Sequence, residues 1–331
     1  MSFDQLFPTA PRDFDAGNGR LVPFGTFRGP VENTSTTVWD GNGGLLSKRR
    51  TQRKAWLYLG AFTESHMVGF AMVDAGLIAN GFCYVYDRER DVLVEEAVTL
   101  PLGFARDFTP RVDGLWRLGT RSRQWNVEYR DDAWHATFEG KRLSVNLRLH
   151  GPGRGLTAIA SSIGRPFAHT YKVCDLPTTI DVSVDGVKGR ASGGGSVDFT
   201  LGYPPRHTLW NWASMYGHTD DGHTVAVNLV GQFMNGQENG LWLGGKLSPL
   251  PQATFEYDPA NPLAPWRIRT LDGSVDLTFE AEGQRRQNLN VGVMASVFSQ
   301  PFGRFTGMIR HGGQELEVTG LGVVEEHTAV W

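Results

Sequence analysis

Cysteine is nearly absent from this chain: 331 residues carry only Cys83 and Cys174. A disulfide-stapled secreted fold needs more, so both are expected as free thiols in a core. Long apolar runs are also missing. No stretch approaches the roughly 18 consecutive apolar residues of a membrane-crossing helix, so no membrane span is expected. The N-terminus, MSFDQLFPTAPRDFD, has neither the basic region nor the apolar core of a secretory signal, which predicts a cytoplasmic protein. Excess charge is lacking too. The net charge of −3 gives no electrostatic argument for nucleic acid or an anionic membrane as partner. Lysine is scarce, 6 residues against 26 arginines. The one basic cluster, Lys48, Arg49, Arg50, Arg53 and Lys54, reads either as the solvated start of a strand or as an anion site.

Several chemical signatures are absent. There is no Cys-x-x-Cys pair, no His-Glu-x-x-His string and no Gly-x-Ser-x-Gly nucleophile elbow. His218 and His223 could be read as metal ligands, but the residues between them, Thr219-Asp220-Asp221-Gly222, have the composition of a hairpin turn. The glycines of Gly151-Pro152-Gly153-Arg154-Gly155 and Gly193-Gly194-Gly195 do not stand between a strand and a helix, as a phosphate cradle requires. The expectation is a chain with no metal and no cofactor. Amphipathic helices longer than about two turns are missing as well, and 41 glycines argue against a helical protein.

What the sequence does have is strand periodicity. Trp125, Val127 and Tyr129 alternate with polar residues, and Asp131-Asp132 then leads into Trp134, Ala136 and Phe138. Glu139-Gly140-Lys141 leads into Leu143, Val145, Leu147 and Leu149. This is a meander joined by short turns. The second half has the same style, with Asp221-Gly222, Asp272-Gly273 and Gly312-Gly313 before alternating runs, since aspartate and glycine tolerate the positive φ of tight hairpins. A weak internal repeat runs across the halves: Trp56-Leu57-Tyr58 opens one run of strands and Trp210-Asn211-Trp212 opens another. The small-residue stretch Asp185 to Ser196, DGVKGRASGGGS, reads as a linker or long loop. The expected organisation is all-β, with two antiparallel barrel-like domains over residues 1–185 and 186–331, closure disposing of the strand edges.

The stretch Asp198 to Gly217, DFTLGYPPRHTLWNWASMYG, is the most informative. Trp210 and Trp212 are two apart and share one face of a strand, while Asn211 faces the other way. Two large rings with polar groups nearby suit the wall of a ligand cavity, and they equally suit an ordinary core strand. His169 and Tyr171 also share a face, either as donors at a barrel mouth or as structural residues. Asn228 stands between Val227 and Leu229 as a polar group among apolar ones. If buried, it must be hydrogen-bonded.

These strings together resemble a known family. Phe167-Ala168-His169-Thr170-Tyr171-Lys172, Gly202-Tyr203-Pro204-Pro205-Arg206 and Trp210-Asn211-Trp212-Ala213-Ser214 are similar to the bacterial DUF2804 family. So are Asp221-Gly222 with Val227-Asn228-Leu229, Glu238-Asn239, and the end Gly322-Val323-Val324-Glu325-Glu326-His327 with Trp331. The resemblance spans about Gly19 to Trp331. It implies two packed lipocalin-like, calycin-type β-barrel domains, similar in architecture to AttH proteins, carotenoid 1,2-hydratases, tocopherol cyclases and some pericyclases. Those families act on hydrophobic isoprenoid or polyketide-like molecules without a redox cofactor. One departure stands out. The family string Asp-Trp-Ser-Arg-Gly-Tyr is here Asp198-Phe199-Thr200-Leu201-Gly202-Tyr203, without the tryptophan and arginine.

Acid-initiated hydration or cyclisation needs a proton donor in an apolar pocket and aromatic faces to shield positive charge. Burial raises a carboxyl pKa and keeps the group protonated near neutrality. The candidate acids are Glu238 first and Asp198 second, with Glu325 beside His327 as a third. Glu238, in Gln237-Glu238-Asn239-Gly240, reads either as this acid or as an exposed hairpin tip. The candidate ligand-binding residues are Trp210, Trp212, Asn228, Tyr171, His169 and Asn211. The expected partner is a small hydrophobic molecule. Two functions stay open, a hydratase, cyclase or isomerase and a carrier that binds without turnover. A structural or interaction module is a third.

Overall fold

The computed structural model describes residues 7–331 except 42, 43, 45, 102–104, 152, 153, 291, 293 and 294. Pro152 and Gly153, in the first glycine-rich string, therefore lie outside the described residues. Strands form two antiparallel sheets. Among the described residues the helical turns are limited to Thr37–Asp40, Lys48–Thr51 and the 3-10 turn Met234–Gly236.

The first sheet runs from edge to edge as Val92–Pro101, Ile78–Asp87, His66–Asp74, Lys54–Phe62, Val187–Gly202, Arg165–Val184, Leu143–His150, Ala133–Glu139, Gln124–Arg130, Trp116–Gly119 and Arg106–Phe108. The first half of Arg165–Val184 also pairs with Leu156–Ser162, which carries Gly25–Arg28 on its outer side. The second sheet runs Lys246–Pro249, Gly240–Leu243, Thr224–Gly231, His207–Thr219, Gln314–Val330, Ala295–His311, Val275–Asn290, Trp266–Thr270 and Ala253–Glu256. Each sheet contains a meander of four consecutive strands, and the last strand of the sheet returns to pair with the meander's first. Lys54–Phe62 pairs with Val187–Gly202, and His207–Thr219 pairs with Gln314–Val330. The weak sequence repeat is thus a repeat of topology.

Alternation sorts the side chains. Leu57, Leu59, Phe70, Cys83, Val85, Trp125, Phe138 and Leu147 turn into the core of the first sheet, which curls around them. A smaller core, including Val227, Leu229, Trp266, Leu277 and Phe305, fills the second. The outward faces of the two sheets meet in a shared layer: Tyr58, Met67, Phe82 and Tyr84 pack with Trp210, Trp212, Phe298 and Phe302. Cys83 and Cys174 are buried and free. No helix among the described residues is long and apolar enough to cross a membrane.

The segment read as a linker is a strand. Only Asp185 and Gly186 turn, with φ of 50° and 83°; Val187–Gly202 pairs with Arg165–Val184, and from Gly194 onward also with Lys54–Phe62. The glycines are present because neighbours crowd them. A Cβ on Gly193 would meet the Phe62 carbonyl at 2.3 Å, and one on Gly194 the Tyr216 ring at 1.9 Å. The chain crosses between sheets at residues 203–206. We propose this as the division between two domains, in place of 185.

The basic cluster at the start of the Lys54–Phe62 strand is tied into the fold. Arg53 lies 3.3 Å from Asp74, and Lys54 Nζ donates to the Ala75 carbonyl at 3.0 Å.

Candidate active site between the two sheets

A cavity of about 140 Å³ lies where the two outward faces meet. Strand register organises its walls into rows. On the first sheet one row reads Lys172, Asp198, Tyr58, Ala71 and Phe82, each the cross-strand partner of the next. A second row reads Thr170, Thr200, Trp56, Val73 and Asn80. On the second sheet Val230, Trp212 and Glu325 are successive partners. Gln300 continues that row by donating to Glu325 at 2.8 Å, and Arg285 is its partner on the next strand. Trp210, His327, Phe298 and Gln287 run beside it. All of these line the cavity.

The aromatic pairs of the internal repeat face one another across it. Trp56 and Trp210 stack at 5.9 Å with an 8° interplanar angle, and Tyr58 meets Trp212 edge-on at 5.3 Å. Trp331 also stacks on Trp56, at 6.3 Å.

At one end of the rows sits a buried charge cluster. Lys172 Nζ lies 2.5 Å from Asp198 Oδ2 and 3.2 Å from Glu238 Oε2. It also lies 5.8 Å from the centre of the Trp212 ring. All three charged residues are buried, Glu238 at 1% exposure. Two carboxyls therefore share one ammonium out of water. Burial pushes the Glu238 carboxyl up, Lys172 pulls it back, and Asp198 adds to the rise. Asp198 is pushed up in the same way, by burial first, against the pull of Lys172. Burial would lower Lys172, but Asp198 and Glu238 outweigh it and hold the ammonium above its usual range. The third candidate acid, Glu325, is anchored separately. It accepts from Trp210 Nε1 at 2.9 Å and from Gln300, with His327 Nδ1 at 3.6 Å.

Glu238 reaches the cavity from a constrained loop, not from an exposed hairpin tip. Gln232, Met234 and Asn235 all have positive φ, a conformation that costs non-glycine residues energy and persists where the surroundings enforce it. The backbone around Glu238 is held at three successive carbonyls: Thr26 donates to residue 237 at 2.7 Å, Asn228 to residue 238 at 2.8 Å, and the Leu250 amide to residue 239 at 3.0 Å. Asn228 also accepts from Trp212 Nε1 at 2.8 Å, so one side chain sets both the acid's loop and the tryptophan.

Glu238, Asp198, Trp210 and Trp212 thus come together on the cavity. The other four sequence candidates do not line it. Asn228 stands behind Trp212. Asn211 is on the opposite face of its strand, donating to the Tyr257 hydroxyl at 3.1 Å. His169 and Tyr171 turn into the first sheet's core, His169 edge-on to Phe14 at 4.9 Å. Their neighbours on the same strand, Thr170 and Lys172, take the cavity side. Burial, then Lys172, lowers His169 to a pKa of about 3, which suits a core residue better than a proton shuttle. Arg285, Gln287 and Gln300 had no sequence signal, because a polar strand such as Glu282-Gly283-Gln284-Arg285-Arg286-Gln287 reads as solvated. His218 and His223 flank a turn in which Thr219 and His223 bond to each other. Among the described residues no cluster of three or more His, Cys, Asp and Glu could hold a metal.

Comparison with known proteins supplies a family and a fold. The model of a domain of unknown function, DUF2804, matches residues 8–331. No curated protein matches the chain. Among solved structures, a protein of Nitrosomonas europaea named for AttH superposes with a TM-score of 0.55 at 15% identity, covering 83% of this chain and 92% of that one. Kievitone hydratase from Nectria haematococca gives 0.48 at 13% identity over 97% and 98% of the two chains. CghA in complex with Sch210972 gives 0.44 at 11% over 97% of each. The first of these likenesses supports the two-sheet, lipocalin-like fold.

Proposed function

The chain belongs to the DUF2804 family, and for it we propose that the cavity binds a small hydrophobic molecule, isoprenoid or polyketide-like, and converts it by acid/base chemistry as a hydratase, cyclase or isomerase. The observation that carries this reading is the Lys172 ammonium placed between two buried carboxyls in a tryptophan-walled cavity. One ammonium can balance one carboxylate. A second bare carboxylate out of water is costly, so it keeps its proton instead. Asp198 is nearer to Lys172 and takes the ionised role, which leaves Glu238 as the acid.

Glu238 then gives its proton to an alkene or enol carbon of the substrate, whose π pair forms the new C–H bond. The faces of Trp212 and Trp210 lie alongside the positive charge that develops. A water molecule, a substrate hydroxyl or a second alkene supplies the electron pair that quenches the cation. The proton released in that step, or from a neighbouring carbon in an isomerisation, returns to Glu238. Atoms and charge balance over the cycle, and the carboxyl ends as it began.

The test is incubation with a panel of terpenoid and polyketide-like compounds, read by mass spectrometry. Hydration adds the mass of one water, whereas cyclisation or isomerisation changes retention alone. Glu238→Gln keeps the shape and removes the proton. It should lower turnover by roughly 10²- to 10⁴-fold with ligand affinity held within about threefold. Full activity in that variant would rule Glu238 out. Tight binding by the wild type with no conversion of any bound compound would make the protein a carrier.

A further inference from the structure

The far end of the cavity holds a second buried cation with a different chemistry. Arg285 is 1% exposed. Its guanidinium lies over the Phe82 ring at 3.8 Å and the Phe298 ring at 4.9 Å. Nε donates to Glu95 Oε1 at 2.8 Å. Nη1 and Nη2 are buried and make no hydrogen bond among the described residues, although the side chain forms part of the cavity wall. The two phenyl rings fix its plane and Glu95 fixes its Nε edge, so the remaining edge is held in one orientation. Buried N–H groups without acceptors are rare, and each calls for a partner.

Charge indicates which partner. Glu95 already balances the guanidinium, and Glu325 is close enough to act on it as well. A further anion would meet two carboxylates, whereas a neutral oxygen would be met by charge-assisted donors alone. We propose that Arg285 receives a carbonyl-type oxygen of the ligand, a ketone, ester or amide. This rests on the cavity being a ligand site, as proposed above, and it narrows the substrate class. The register rows give the spacing. Asp198 to Phe82 on one wall, and Trp212 to Arg285 on the other, are each three strand steps, roughly 14 Å of sheet. The ligand would be an oxygenated hydrophobic molecule with a carbonyl at the Arg285 end and its reacting C=C at the Glu238 end.

Two probes of like shape separate the carbonyl from the apolar body: 2-acetylnaphthalene and 2-isopropenylnaphthalene, titrated into the full-length protein and followed by quenching of tryptophan emission. Arg285→Met should weaken the ketone by roughly tenfold or more and leave the hydrocarbon within about twofold. Arg285→Lys keeps the charge but not the fixed fork, and should recover part of the ketone's affinity. If Arg285→Met does not fold, Glu95→Gln decides: removal of the competing carboxylate should tighten the ketone and not the hydrocarbon. Equal losses for both probes, no change for either, or no binding of either by the wild type would each overturn the proposal. The last result would also remove the cavity as a ligand site. Equal losses or no change would leave the acid chemistry of Glu238 standing, since neither probe measures turnover.

Discussion

Lys172 is the residue on which the proposed site turns, and in the sequence it stands out only as the last residue of the string Phe167-Ala168-His169-Thr170-Tyr171-Lys172. Alternation places it with Thr170 on the cavity side, while His169 and Tyr171 go to the core. Nothing in the local sequence sets that parity, because apolar and polar residues stand on both faces here. The parity of Trp210 and Trp212 was legible because Asn211 lies between two bulky rings. His169 now carries a prediction of its own. Its ring nitrogens find no hydrogen-bond partner among the described residues, and burial brings its pKa from 6.5 to about 3. The unfolded chain binds the proton below about pH 6.5, while the native state refuses it until about pH 3. Stability from this group is therefore fully present above about pH 6.5 and is lost as the pH falls toward 3, at up to about 1.4 kcal/mol per pH unit. His169→Leu should flatten that acid limb with little loss of stability at neutral pH. Thermal melts of both proteins across the range measure it. Parallel melting curves down to pH 3 would show that the imidazole does not titrate as described.

Among the elements, the Val187–Gly202 strand departed furthest from expectation. Composition alone made DGVKGRASGGGS a loop, since three consecutive glycines have no strand preference of their own. Tertiary contact reverses this: the glycines permit the Phe62 carbonyl and the Tyr216 ring to come within reach of the strand. The hairpins, by contrast, were legible. Asp131-Asp132 and Gly312-Gly313 turn with positive φ as their composition implies. Gly194→Ala should cost about 1–3 kcal/mol in denaturant unfolding, because the added methyl overlaps the Tyr216 ring between the two sheets. Tyr216→Ala in the same chain should restore part of that loss. A neutral Gly194→Ala, or an unchanged penalty in the double variant, would contradict this packing.

At the scale of the whole molecule, the cavity exists because two sheets of one topology meet by their outward faces. The repeat of Trp56-Leu57-Tyr58 in Trp210-Asn211-Trp212 hinted at this. Only the structure shows that the repeated aromatics meet across the cavity, Trp56 stacked on Trp210 and Tyr58 edge-on to Trp212. Each sheet supplies part of what the proposed chemistry needs: Lys172 and Asp198 from the first, Glu238, Trp210, Trp212 and Arg285 from the second. A residue list cannot reveal that division, since 26 residues separate Lys172 from Asp198 and another 40 separate Asp198 from Glu238.

The proposed mechanism requires that Glu238 hold a proton at neutral pH while Asp198 and Lys172 are ionised. Infrared difference spectroscopy between the wild type and Glu238→Gln reads this without any substrate. The wild type should show the C=O stretch of a protonated carboxylic acid at pH 7, and the variant should lack it. The same band should disappear in Asp198→Asn, because Lys172 then takes Glu238 as its counter-ion and the carboxyl ionises. A neutral-pH spectrum with no protonated-acid band, or a band unchanged by Glu238→Gln, would contradict the claim.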